Sequence, residues 1–168
     1  MVATTLPKFN MDNSETGCCP RFDPTGWDGE EFEFHHRPFV RSTTINVLHV
    51  PLNLGPVFKK TWRKIQAADA APLNEYLVLS SDLSAWRGEH YFAVTKPVPN
   101  VDMVSLTGRY FSQVFEGPYR QAGHWATEIA SFIDLSGREL RRLYFFYTTC
   151  PSCAKYYGKN FVIAFAEV

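Results

Sequence analysis

Apolar positions along the chain fall into two rhythms, broken by prolines and glycines, and these rhythms predict the elements. The stretch "RSTTINVLHVPLN" (41–53) is rich in β-branched residues and reads as a strand. Alternation places Ile45, Val47 and His49 on one face and Thr44, Asn46, Leu48 and Val50 on the other. The first face is expected to be the buried one. Gly55-Pro56 follows, with Phe58, Trp62 and Ile65 at helical spacing, so a helix is predicted to run to about Ala68. Strands are predicted at 75–80 and 89–95, the latter closed by prolines. The second half has the same order. A long strand, "DMVSLTGRYFSQVFEGPY", leads to Gly117-Pro118. A helix follows with Ala122, Trp125, Ile129 and Phe132 on its apolar face. The strands "RRLYFFYTT" and "NFVIAFAEV" then close the chain.

Each half therefore reads strand, helix, strand, strand, with a Gly-Pro pair opening each helix and a tryptophan within it. The expected fold class is α+β: a duplicated β-α-β-β module whose antiparallel sheet carries its helices on one face. A ligand cleft is expected at the seam between halves. The repeats span about 38–98 and 101–168 within a domain of residues 32–168. Residues 1–31 are polar and turn-rich and read as an N-terminal arm, on which Phe22 and Trp27 are the residues able to dock.

The 168 residues suit one core, and aromatics make up 15% of them, which fits a thick core or an aromatic-lined pocket. Lys plus Arg equals Asp plus Glu, and no basic block occurs, which disfavours nucleic acid as a partner. No apolar run is long enough for a membrane span, and the N-terminus lacks a signal-peptide pattern, so a cytoplasmic protein is expected. In that compartment the four cysteines are expected as thiols. No cofactor is expected, and the chain is expected to act as a monomer or homodimer on a small molecule.

The cysteines of "YTTCPSCAKYYGKN" fall at the end of a strand, where Pro151 begins a turn. Cys150 is expected as the N-cap of a short helix and Gly158 as its left-handed stop. A thiol at a helix N-terminus tends toward thiolate. Cys-x-x-Cys is half of a zinc site, and zinc needs four ligands. Cys18-Cys19 or His35-His36 are the available complements, but neighbours on an extended chain point apart, so each pair is expected to supply only one ligand. A dithiol redox pair, a haem-responsive Cys-Pro and a nucleophile are the other reactive readings. The plainest is a tight turn packed by small side chains, and no metal is expected.

The duplicated order, together with "FEGPYRQAGHW", resembles the GyrI-like small-molecule-binding superfamily over roughly residues 38–168. That superfamily includes effector domains of drug-sensing transcription regulators. One branch resembles cyclopropanoid cyclopropyl hydrolases, which open strained DNA-alkylating natural products. The C-terminal stretch also resembles small bacterial proteins catalogued as hydrolases. The resemblance implies an aromatic-walled pocket with a buried acid, and a hydrolase that adds water to an electrophilic, largely flat molecule. A non-catalytic binding module and a protein-interaction module are its alternatives. In the hydrolase branch a carboxylate or His would deprotonate water and a Tyr O–H would steady developing charge. Glu116, Glu89, His49 and Tyr147 are the candidates for those roles. Trp86, Tyr91, Phe111, Tyr119, Tyr144, Cys150 and Cys153 are the candidate ligand contacts.

Overall fold

The computed structural model describes residues 2–168. They form eight strands and three helices: β1 (Val2–Ala3), β2 (Glu31–Val47), β3 (Val50–Pro51), α1 (Leu54–Ala67), β4 (Val78–Ser84), β5 (Arg87–Ala93), β6 (Asp102–Glu116), α2 (Ala122–Leu135), β7 (Arg142–Tyr147), α3 (Pro151–Tyr157) and β8 (Phe161–Glu167). The class is α+β: β2–β3, β2–β5, β4–β5, β6–β8 and β7–β8 pair antiparallel, and the short β1–β2 contact is parallel. The chain divides into two compact units. One holds residues 35–107; the other holds residues up to 34 and from 108 onward.

In the unit of residues 35–107 the strand order is β2, β5, β4. Helix α1 lays Phe58, Trp62 and Ile65 against Val40, Val78, Phe92, Val94 and Val98. This is the stripe the sequence predicts. The helix begins at Leu54, so Pro56 falls within its first turn rather than at its first residue. Any of these positions suits proline, because the first N–H groups of a helix have no partner inside it. Asn53, the N-cap residue, does not cap with its side chain. Its Oδ1 accepts from the backbone N–H of Ile45 at 2.9 Å instead.

The end of β2 corrects the predicted burial. Thr44 and Asn46 are buried, whereas Ile45 is 64% exposed and Val47 is also exposed. Polar residues hold the inner face because they satisfy one another there. Thr44 Oγ1 donates to Asn46 Oδ1 at 2.9 Å and contacts His90 Nε2 at 3.0 Å. The strand stops at Val47, and Leu48 and His49 form a turn with positive φ.

In the other unit the order is β6, β8, β7. Helix α2 covers one face, packing Trp125, Ile129 and Ile133 on Phe111, Phe115, Val162, Ala164 and Ala166. Phe115 stacks on Trp125 with ring centroids 5.4 Å apart. Gly117 is required by space as well as by its φ of 155°. A Cβ there would meet Gln121 Oε1 at 2.5 Å and Trp125 Cζ2 at 3.1 Å. On the opposite face, residues before β2 pack as an aromatic layer. Trp27 is buried, with its ring within 5.9–6.2 Å of Phe9, Phe22, Phe32, Phe146 and Phe165. Both docking residues foreseen in the first 31, Phe22 and Trp27, are part of it. Among the described residues, no helix is long and apolar enough to cross a membrane.

Candidate functional site

Strand β5 carries charged and polar chemistry on both faces. Gly88, His90 and Phe92 point toward α1, and Phe58 of α1 meets both rings at about 5 Å. Glu89 and Tyr91 point to the other face. The register sets Tyr91 opposite Arg41 of β2 and Leu79 of β4, and Glu89 opposite Thr43 and Ser81. Pairs two apart on a strand share a face, so these side chains lie together.

Glu89 is 7% exposed and Tyr91 is buried. Acids are seldom this buried without partners, and Glu89 has them. The Tyr91 hydroxyl donates to Glu89 Oε2 at 2.5 Å. Arg41 Nη1 lies 3.8 Å from Glu89 Oε1, and Arg41 Nε donates to Asp102 Oδ2 at 2.7 Å. The arrangement is a buried carboxylate with a phenol on one oxygen and a guanidinium near the other. A carboxylate so held is preorganised as a proton acceptor or as the counter-charge for a cation.

Across the strand, His90 is buried with both ring nitrogens in use. Ser80 Oγ lies 2.8 Å from Nδ1 and Thr44 Oγ1 lies 3.0 Å from Nε2. The Thr44 proton goes to Asn46, so Thr44 accepts from Nε2–H and Ser80 donates to Nδ1. Burial pushes the imidazole down to about 4, with Glu89 opposing slightly. His90 is therefore neutral near pH 7.

The other residues singled out from sequence do not gather here. Glu116 is exposed at the end of β6, where it lines a hollow of about 320 Å³ with Gly117, Pro118, Ala154, Gly158, Lys159 and Asn160. His49, expected on a buried face, is exposed in the turn after β2, with Nδ1 3.2 Å from Asp82 Oδ2. Trp86 sits in the β4–β5 turn and is 61% exposed. Phe111 stacks on Phe132 at 4.9 Å under α2, as core rather than pocket wall. Tyr144 is buried on the opposite face of the same sheet, 6.2 Å from Tyr110. Tyr147 and Tyr119 meet at 5.5 Å, and the Tyr119 hydroxyl donates to the Thr149 carbonyl at 2.7 Å. Burial pushes the Tyr119 phenol up. Arg41 was not foreseen as a site residue. Only the β2–β5 register, which sets it beside Tyr91, could have revealed it.

The cysteines form a second constellation. Cys150 is the N-cap of α3, Pro151 is its first residue, and Gly158 ends it with φ 69°. This part matches expectation. The expectation that each cysteine pair offers only one ligand does not hold. The Sγ atoms of Cys18, Cys19, Cys150 and Cys153 all lie within 4.8 Å of one another. Residues 17–19 bend instead of extending, around Gly17 at φ 67°. The Thr16 hydroxyl accepts from the N–H groups of Cys18 and Cys19 at 3.3 Å each. Both sulfurs then fall on one side, 3.7 Å apart. Cys153 is buried, which alone would raise its thiol. Hydrogen bonds from Thr16, Cys150 and Cys19 outweigh this and bring it down to about 7. Burial pushes Cys19 up strongly and Cys18 up as well.

A family described as "Bacterial hydrolase" matches residues 9–168 of this sequence. No curated protein matches it. Among solved structures, a hydrolase from Listeria innocua is similar at TM-score 0.56 and 13% identity, covering 96% of this chain and 99% of that one. A protein solved bound to tetraphenylphosphonium is similar at TM-score 0.51 and 12% identity, covering 83% and 92%. A transcription regulation protein from Staphylococcus aureus MU50 is similar at TM-score 0.50 and 13% identity, covering 85% and 99%. At these identities the likeness is one of fold.

Proposed function

Because the chain belongs to the bacterial hydrolase family, we propose that it is a small-molecule hydrolase whose reacting groups are Glu89, Tyr91 and Arg41. The observation that carries this reading is the buried Glu89 carboxylate. It lies on the face of β5 opposite α1, held by the Tyr91 O–H at 2.5 Å and flanked by Arg41 at 3.8 Å. In this reading Glu89 takes a proton from water, Tyr91 fixes the carboxylate's orientation, and Arg41 faces the negative charge that develops on substrate. His90 has no acid–base part, since it is neutral and both its nitrogens are engaged.

The substrate class follows from the GyrI-like resemblance: an electrophilic, largely flat xenobiotic or natural product with a ring strained next to a conjugated carbonyl. The oxygen of water forms a bond to the ring carbon as the ring C–C bond breaks. The released electron pair moves onto the carbonyl oxygen. The proton taken by Glu89 returns to the resulting enolate, so one water is added overall.

The test is a time course with protein far below the concentration of an activated cyclopropane, followed by mass spectrometry. Many turnovers to a water adduct, with the protein mass unchanged, would support hydrolysis. Absence of turnover would overturn it for this substrate class. A second reading, binding without turnover, is favoured by the similar fold solved bound to tetraphenylphosphonium. A buried carboxylate suits a lipophilic cation. That reading expects saturable tetraphenylphosphonium binding, weakened by Glu89→Gln, with no adduct formed.

A further inference from the structure

We propose that Cys18, Cys19, Cys150 and Cys153 hold one zinc ion as a closed tetrathiolate site. Four sulfurs within 4.8 Å of one another form a compact cluster. Zinc bound by four thiolates at about 2.3 Å sets its sulfurs about 3.8 Å apart. The Cys18–Cys19 separation is 3.7 Å. All four cysteines are free thiols. A disulfide uses sulfurs two at a time and gives no reason for four to converge.

The surroundings are also those of a metal site. Cys150 and Cys153 lie one helical turn apart across the start of α3, which turns both sulfurs to one side. Cys18 and Cys19 are brought together by the bend that the Thr16 hydroxyl stabilises. The Tyr157 hydroxyl locks that bend by donating to the Cys19 carbonyl at 2.6 Å, and Ser14 donates to the same oxygen at 3.1 Å. Thr16 Oγ1 lies 3.3 Å from Cys153 Sγ. Such outer hydrogen bonds orient thiolates and temper their charge. An all-sulfur set excludes magnesium and calcium, which take oxygen. Four protein ligands leave no open position, so the ion is structural and takes no part in hydrolysis. It fastens the segment carrying Cys18 and Cys19 to α3, close in sequence to Phe22 and Trp27 of the aromatic layer.

The experiment is metal analysis of the protein purified without chelator, joined to titration with an organomercurial. One zinc per chain is expected, released in step with modification of four thiols. Replacement by cobalt is expected to give the visible bands of a tetrahedral tetrathiolate. Cys153→Ser is expected to lose the metal, and because the residue is buried the substitution is also expected to weaken the fold. Cys18→Ser is exposed, and is expected to keep the fold by circular dichroism while its zinc affinity falls about tenfold or more. Four thiols that titrate freely with no metal released would overturn the proposal. So would a protein mass lowered by paired oxidation, or iron as the bound metal. Because the readout is metal content, the result is independent of whether the protein turns over any substrate.

Discussion

His90 makes the stability of this fold depend on pH in a way that one substitution should remove. Its folded-state value is about 4, against 6.5 for an unperturbed histidine, because burial disfavours the imidazolium. Between those values the unfolded chain binds a proton that the native chain does not. Stability therefore stands in full above about pH 6.5 and is lost as pH falls toward 4, with no further loss from this group below that. The whole shift corresponds to about 3 kcal/mol, and from about pH 7.5 to about pH 5 the expected loss is about 2 kcal/mol. His90→Gln lowers stability at every pH through lost packing on Phe58, but it also removes the titrating group. Urea denaturation of both proteins across this range isolates the effect, because titrations elsewhere are common to the two. The wild type should lose about 2 kcal/mol more than the variant. Parallel pH profiles would rule out a buried, neutral His90 as the source of the effect, as would a His90 imidazole that titrates near 6.5 by NMR in the folded protein.

Three further outcomes are expected. Gly88→Ala should destabilise by roughly 1–3 kcal/mol, because the new methyl would meet Thr44 Oγ1 at 2.8 Å inside the His90 network; urea midpoints give the value. Trp27→Ala should cost about 3–5 kcal/mol, since its ring is buried among five others. A change within experimental error would mean that the aromatic layer adds nothing to the fold. Tyr91→Phe removes the donor to Glu89 and should destabilise by about 1–3 kcal/mol while lowering kcat more than it changes KM.

The helices were legible because a 3.6-residue period survives in Phe58, Trp62 and Ile65 and in Trp125 and Ile129, whatever they pack against. Strand faces were less so. Ile45 and Val47 look like the buried set of their strand, yet Thr44 and Asn46 lie inside. What decides this is a hydrogen-bond network with His90, which lies on a strand far along the sequence. The convergence of Cys18 and Cys19 is hidden from the sequence for a local reason. Their side chains diverge only if the chain is extended, and a bend at Gly17 with the Thr16 hydroxyl beneath it brings them together. The pairing of Glu89 with Tyr91 follows from their two-residue spacing. The approach of Arg41 requires the β2–β5 register, which no local pattern states.

The proposed role of Glu89 as the reacting base is tested by kcat for Glu89→Gln beside Glu116→Gln, both checked for fold by circular dichroism, on an activated cyclopropane. A kcat lowered about a hundredfold or more is expected for Glu89→Gln, and one near wild type for Glu116→Gln. Near-wild-type turnover in the Glu89 variant, with loss in the Glu116 variant, would remove Glu89 from the reaction and move the chemistry to the hollow beside α3.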